Sequence, residues 1–175
     1  LPQGAMDWMP VLIGLGTVNV VYGAISAMAQ RDLKYIIGYS SVSHMGYILM
    51  GIATLDPMGV GGAVLQMFSH GIMTALFFST VGFIYDRAHS KTIADFGGLG
   101  TQMPRAVALF IIAGLCGAGL PGLASFWAEL LVFLAALKTY PIIGVCIVLG
   151  LVITAVYILR VFGLAFFGPP NPRWE

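Results

Sequence analysis

Four side chains that can take up and release a proton stand in otherwise apolar surroundings: Lys34, His44, His70 and Glu129. An ammonium, two imidazoles and a carboxyl are the groups a proton relay needs, and at membrane depth each is costly unless it faces protein or water. Glu129 is the hardest to explain otherwise. A lone carboxyl in hydrocarbon stays neutral until a cation or water reaches it, and that switchable state suits a proton carrier. Its simpler reading is a buried hydrogen bond to a neighbouring helix.

On a helix turning about 100° per residue, Ser41 falls about 20° from Lys34 and His44 about 80° from it, so the three share one quadrant. They form a candidate proton ladder with Ser41 as a relay. Lys34 and His44 are still ~15 Å apart at 1.5 Å per residue, a gap that Ser40, Ser41 or water must bridge. A plainer role for Lys34 is to snorkel to the headgroups from a helix end. Gln66, His70 and Thr74 recur at spacing four and put a polar stripe on one helix face, which must meet protein. His70 there is either a proton carrier or interhelical hydrogen-bonding glue. Asn19, Tyr22 and Ser26, and Thr154, Tyr157 and Arg160, form weaker stripes read as interhelical hydrogen bonds, with Arg160 snorkelling inward.

The elements that hold these groups follow from composition. Of 175 residues, 59% are hydrophobic and 9% charged, with 23 glycines and a mean hydropathy of +0.94. A soluble domain is about one quarter charged, so most of this surface lies in lipid. A net charge of +1 excludes a nucleic-acid binder. Cys116 and Cys146 sit inside apolar runs and read as packing residues.

A crossing takes roughly 20 apolar residues. That ruler predicts an all-α integral membrane domain over 1–175 with five crossings: 8–29, 34–53, 58–84, 104–137 and 141–167. The fourth is too long for one straight span and holds Gly114, Gly117, Gly119, Pro121 and Gly122, so it reads as a helix broken near 117–122. The segment 85–103 collects Asp86, Arg87, His89, Lys91 and Asp95 and reads as a solvated loop. Arg31, Lys34, Arg87, Lys91, Arg105 and Arg173 fall on its side and Lys138 on the other, which places the C-terminal end of the segment on the cytoplasmic side. Residues 169–175 read as an interhelical loop, and the abrupt ends suggest a piece of a longer protein.

Three functional classes remain open on the residues alone. One is an ion-translocating subunit using Lys34, His44, His70 and Glu129. Another is a b-haem protein with His44 and His70 as axial ligands, and the last is a structural spacer in a larger complex.

The runs Arg31-Asp32-Leu33-Lys34 and Gly38-Tyr39-Ser40-Ser41-Val42-Ser43-His44-Met45-Gly46-Tyr47 resemble the signature of the antiporter-like membrane subunits of respiratory complex I and their Mrp cation/proton antiporter relatives. The resemblance continues through Gln66-Met67-Phe68-Ser69-His70-Gly71, Tyr85-Asp86-Arg87, Phe96-Gly97-Gly98-Leu99 and Gly119-Leu120-Pro121-Gly122 to Phe126 and Glu129. Gln66, Thr74 and a glutamate at 129 are most similar to the M type of the family and its photosynthetic D counterpart; L types carry histidine and lysine flanking the central histidine, and L and N types a lysine in the broken helix.

The resemblance implies one of two inverted five-helix repeats with the fourth helix broken, here the second repeat. It implies proton translocation coupled to quinone reduction elsewhere, with Lys34 central, His44 and His70 bridging and Glu129 at the exit. A cation/proton antiporter or membrane-bound hydrogenase subunit fits the same family. NADH, FMN, iron–sulfur clusters and quinone are then expected on other subunits, with no cofactor or metal in this chain. Expected partners are neighbouring antiporter-like subunits and the lipid bilayer, in a bacterial plasma membrane or else a thylakoid or mitochondrial inner membrane.

Overall fold

The computed structural model describes residues 2–169 and 171 and is all-helical among them. Arg173, one of the charges used for orientation, and most of the predicted 169–175 loop lie outside the described residues.

Helix α1 (Pro2–Ala29) runs to a short turn from which α2 (Leu33–Ala53) departs. Asp32 caps α2, its side chain accepting from the Lys34 backbone N–H at 2.7 Å. The turn to α3 (Pro57–Ala88) repeats the device with Asp56, which accepts from Met58 N–H at 2.8 Å, and with Pro57 in the first helical turn. His89 closes α3 in the left-handed conformation at φ 49°.

The predicted loop is built rather than loose. Leu33 N–H donates to Lys91 O at 2.9 Å and Ile93 N–H to Arg31 O at 2.8 Å, so the α3 exit is stitched to the α2 entrance. A 3-10 turn (Ile93–Asp95) and the four-residue α4 (Leu99–Gln102) lead on to α5 (Pro104–Gly117). After the break come α6 (Ala124–Thr139) and α7 (Pro141–Val161), which ends in a π-helical turn, Phe162–Phe166.

Among the described residues four segments are long and apolar enough to cross a bilayer: Met6–Ala29, Leu33–Ala53, Pro57–Ala88 and Pro141–Phe166. Helices α5, with 14 residues, and α6, with 16, each fall short of the roughly 20 that a crossing needs. Their interruption spans Ala118–Leu123 and follows from local chemistry. Gly119 takes φ +68° while its N–H returns to Cys116 O at 3.1 Å and that of Leu120 to Leu115 O at 3.0 Å, the bonding that ends a helix on a left-handed residue. Pro121 follows, and Gly122 at φ +102° turns the chain into α6.

Large apolar side chains such as Trp8, Phe68, Ile72 and Ile142 point outward, as lipid-facing positions do. Inside lie two apolar clusters. One gathers Ile36, Ile37, Phe77, Phe110, Tyr157, Phe162 and Phe166; the other gathers Val20, Tyr47, Met50, Val132 and Ile147. The polar site lies where α2, α3 and α6 meet.

Helices α1 and α2 approach through Gly16 and Gly46. A Cβ on Gly46 would stand 2.6 Å from Gly16 O and 2.8 Å from Val20 Cγ2, so only glycine permits this seam. Gly46→Val is expected to destabilise the subunit by about 1–3 kcal/mol through overpacking, read as a lower melting temperature in detergent.

At the end of the bundle where α2 stops, Lys138 Nζ and Asp56 Oδ2 pair at 3.2 Å. The Met58 backbone N–H, and then Lys138, hold the Asp56 carboxyl below its ordinary range. A depressed carboxylate contributes stability above its unfolded-state pKa and loses it as pH falls through the folded one. Melting temperature is therefore expected to decline below about pH 4, with a shallower decline in Asp56→Asn.

Candidate functional site

The structure brings three of the predicted residues together and leaves two apart. His44 is 1% exposed, Glu129 2%, His70 7% and Gln66 0%, so the cluster is closed off from its surroundings. His44 Nδ1 lies 3.2 Å from Glu129 Oε1. Gln66 Nε2 lies 3.1 Å from the same His44 Nδ1 and 3.2 Å from the same Glu129 Oε1, which closes a triangle of α2, α3 and α6 atoms. The His70 ring stands 5.2 Å from that of His44, centroid to centroid.

The triangle constrains where the proton sits. When the Gln66 amide donates to both neighbours, His44 Nδ1 must accept, and its contact with Glu129 then needs the proton on the carboxyl. When the proton moves to Nδ1, the ring becomes a second donor facing the amide. Four buried atoms at this site have no hydrogen-bond partner among the described residues: His44 Nε2, His70 Nδ1, Gln66 Oε1 and Glu129 Oε2. Gln66 Oε1 is the acceptor that a turned amide would offer to a protonated Nδ1. The proton can thus stand on the carboxyl or on Nδ1 across one 3.2 Å contact, the minimum for handing it between carboxyl and imidazole.

Lys34 is exposed on the first turn of α2, ten residues before buried His44, and is separated from the cluster along the helix axis. Ser41 donates back to Ile37 O at 3.1 Å and is half-buried, so its hydroxyl serves its own helix. Ser40 is the buried member of the pair and accepts from Tyr157 Oη at 2.7 Å, linking α2 to α7. Thr74 likewise donates to its own helix, to His70 O at 2.7 Å. Arg160 Nη1 reaches Met28 O on α1 at 2.6 Å, an interhelical bond as its stripe suggests.

Sequence spacing did not single out Ser69, Ser125 or Cys116. Ser69 and Ser125 hydroxyls meet at 2.7 Å, and Cys116 Sγ lies 3.2 Å from Ser125 Oγ, which ties α3 across the helix break one turn from Gln66 and Glu129. Ser125 precedes Glu129 by four residues, so their shared face was legible in principle. Among the described residues no three His, Cys, Asp or Glu gather as metal ligands.

This fold and site define a class: an integral membrane protein whose packed helices enclose titratable side chains beside an interrupted helix. Comparison narrows the class. The chain belongs to the NADH:quinone oxidoreductase/Mrp antiporter transmembrane family, which it matches over residues 2–154. It is 42% identical over 178 residues to NAD(P)H-quinone oxidoreductase chain 4 2 of Synechococcus sp. (strain JA-3-3Ab), covering 98% of this chain and 33% of that one. Chain 4 of Acaryochloris marina is also 42% identical, with the same coverage of 98% and 33%.

Among solved structures, a chain of respiratory complex I from Thermus thermophilus with bound NADH superposes with a TM-score of 0.94 at 30% identity, over 97% of this chain and 36% of that one. A chain of the Mrp complex from Dietzia sp. DQ12-45-1b gives 0.92 at 25% identity, over 97% and 32%. The chain spans about a third of the length of the curated relatives it matches.

Proposed function

We propose that this chain is the second of two inverted repeats of an M-type antiporter-like subunit and carries protons across the membrane for a quinone-reducing complex. The observation that carries this is the buried His44–Gln66–Glu129 triangle, with contacts of 3.1–3.2 Å, set beside a helix interruption. Transporters use such interruptions for ion sites, because broken helices free backbone groups at the midplane. The relatives' names, which are those of NAD(P)H-quinone oxidoreductase chains, support the assignment.

In this scheme α5 and α6 are the two halves of a fourth crossing, which makes five. Lys34, exposed on α2, faces the first repeat and receives the electrostatic signal from it. The proton then passes by way of His44 and His70 to Glu129, with Ser40 and Tyr157 as the buried hydroxyls beside His44 and Ser41 on the Lys34 side. Glu129 releases it on the Lys138 side, while the Arg31, Arg87 and Lys91 end stays cytoplasmic. NADH, FMN, iron–sulfur clusters and quinone sit on other subunits, and neighbouring antiporter-like subunits flank this one in a bacterial plasma membrane.

Measuring protons moved per electron in proteoliposomes of the complete complex, with Glu129 replaced, tests this. A ratio equal to wild type rejects it. The likeness to the Mrp chain favours cation/proton antiport as a second reading, which dependence of pumping on Na⁺ at fixed pH separates.

A further inference from the structure

The two oxygens of Glu129 face different surroundings. Oε1 is held by His44 and Gln66, whereas Oε2 is buried, has no partner among the described residues and lies beside the backbone of Gly119. A Cβ on Gly119 would lie 2.8 Å from that oxygen and 3.7 Å from Leu151 Cδ2. On the same side lies a cavity of about 340 Å³ between α6, α7 and the break, lined by Glu129 and Gly119 together with Phe126, Leu151 and Ala155. It is large enough for several waters.

We infer that Gly119 is a side-chain-free window through which the Glu129 carboxyl exchanges its proton with water in this cavity. The inference rests on reading Glu129 as a proton carrier. The step is a simple transfer: the O–H bond at Oε2 breaks, the carboxylate keeps the electron pair, and a water oxygen in the cavity takes the proton and passes it on. The apolar lining makes the step conditional. Such a cavity dewets beside a neutral carboxyl and fills when the carboxylate is charged, so access follows protonation state and the path closes once the proton is back. The carboxyl thereby talks to His44 through one oxygen and to the outlet through the other.

The test is hydrogen–deuterium exchange at the carboxyl C=O stretch of Glu129, followed by infrared spectroscopy of the full complex and assigned by its loss in Glu129→Gln. Gly119→Ala is expected to slow exchange at least about tenfold while the band persists. Gly122→Ala places a side chain at a more strained positive φ, +102° against +68° at Gly119, but its Cβ meets nothing within 4 Å, so exchange should stay near wild type. Ala155→Leu narrows the cavity from the α7 side and should slow exchange in the same direction as Gly119→Ala. Unchanged exchange in Gly119→Ala or in Ala155→Leu overturns the window, as does equal slowing in Gly122→Ala. If no carboxyl band depends on Glu129, the proton-carrier reading itself fails, a result distinct from a band that exchanges normally in both variants.

Discussion

Glu129→Gln is expected to cut proton pumping by the assembled complex by a factor of about 100 or more, while the subunit still folds and assembles. The substitution keeps the shape of the side chain and its capacity to hydrogen-bond. A glutamine at 129 can still meet His44 Nδ1 and Gln66 Nε2, the partners 3.2 Å from Oε1, so little packing or polar satisfaction is lost. What disappears is titration. If the site were only interhelical glue, this near-isosteric amide would pump normally. Glu129→Ala is the harsher comparison, because it strips a partner from both His44 and Gln66, each almost fully buried. Proton-to-electron ratios in proteoliposomes, with assembly checked by native mass, separate loss of pumping from loss of the complex.

His44→Leu is expected to reduce pumping by a similar factor of about 100, and to lower stability by about 1–3 kcal/mol. The leucine fills the space of the ring but leaves Glu129 Oε1 with only Gln66, and removes the ring that stands 5.2 Å from His70 and 6.1 Å from Tyr47. His44→Gln sorts the two effects. Its amide restores a hydrogen bond to Glu129 and so recovers much of the melting temperature, yet it cannot titrate, and pumping should stay low. Recovery of pumping along with stability would assign His44 a purely structural role.

The helices were legible because apolar runs and helix-end residues coincide. Leu33–Ala53 and Pro141–Phe166 begin and end within a residue of the predicted 34–53 and 141–167, where an aspartate cap and a proline mark the starts. The interruption was legible too, since Gly119, Pro121 and Gly122 occur together and the chain turns at Ala118–Leu123. Less legible were ends set by tertiary contacts. Helix α3 runs on to Ala88, beyond the predicted 84, because the stitched turn around Lys91 and Ile93 holds its polar last turn in place. Helix α1 begins at Pro2 rather than near 8.

At the site, rarity of charge in apolar runs pointed to His44, His70 and Glu129, and the stripe pointed to Gln66. Which face of α2 is buried was not readable from spacing. A helical wheel groups Ser41 with Lys34 as well as it groups Ser40 with His44, and only the packing of α1 and α7 against α2 decides that Ser40 turns inward to Tyr157. The closure of His44, Gln66 and Glu129 into one triangle is likewise a tertiary fact. Their separations along the chain carry no sign of it.

The central claim is that the Glu129 carboxyl gains and loses a proton during turnover. Infrared difference spectroscopy of the complete complex, recorded between resting and working states, observes that event directly. The account predicts a change in a carboxyl C=O stretch that is absent in Glu129→Gln and altered in His44→Leu. A difference spectrum with no band that depends on Glu129, from a complex that pumps normally, would contradict it.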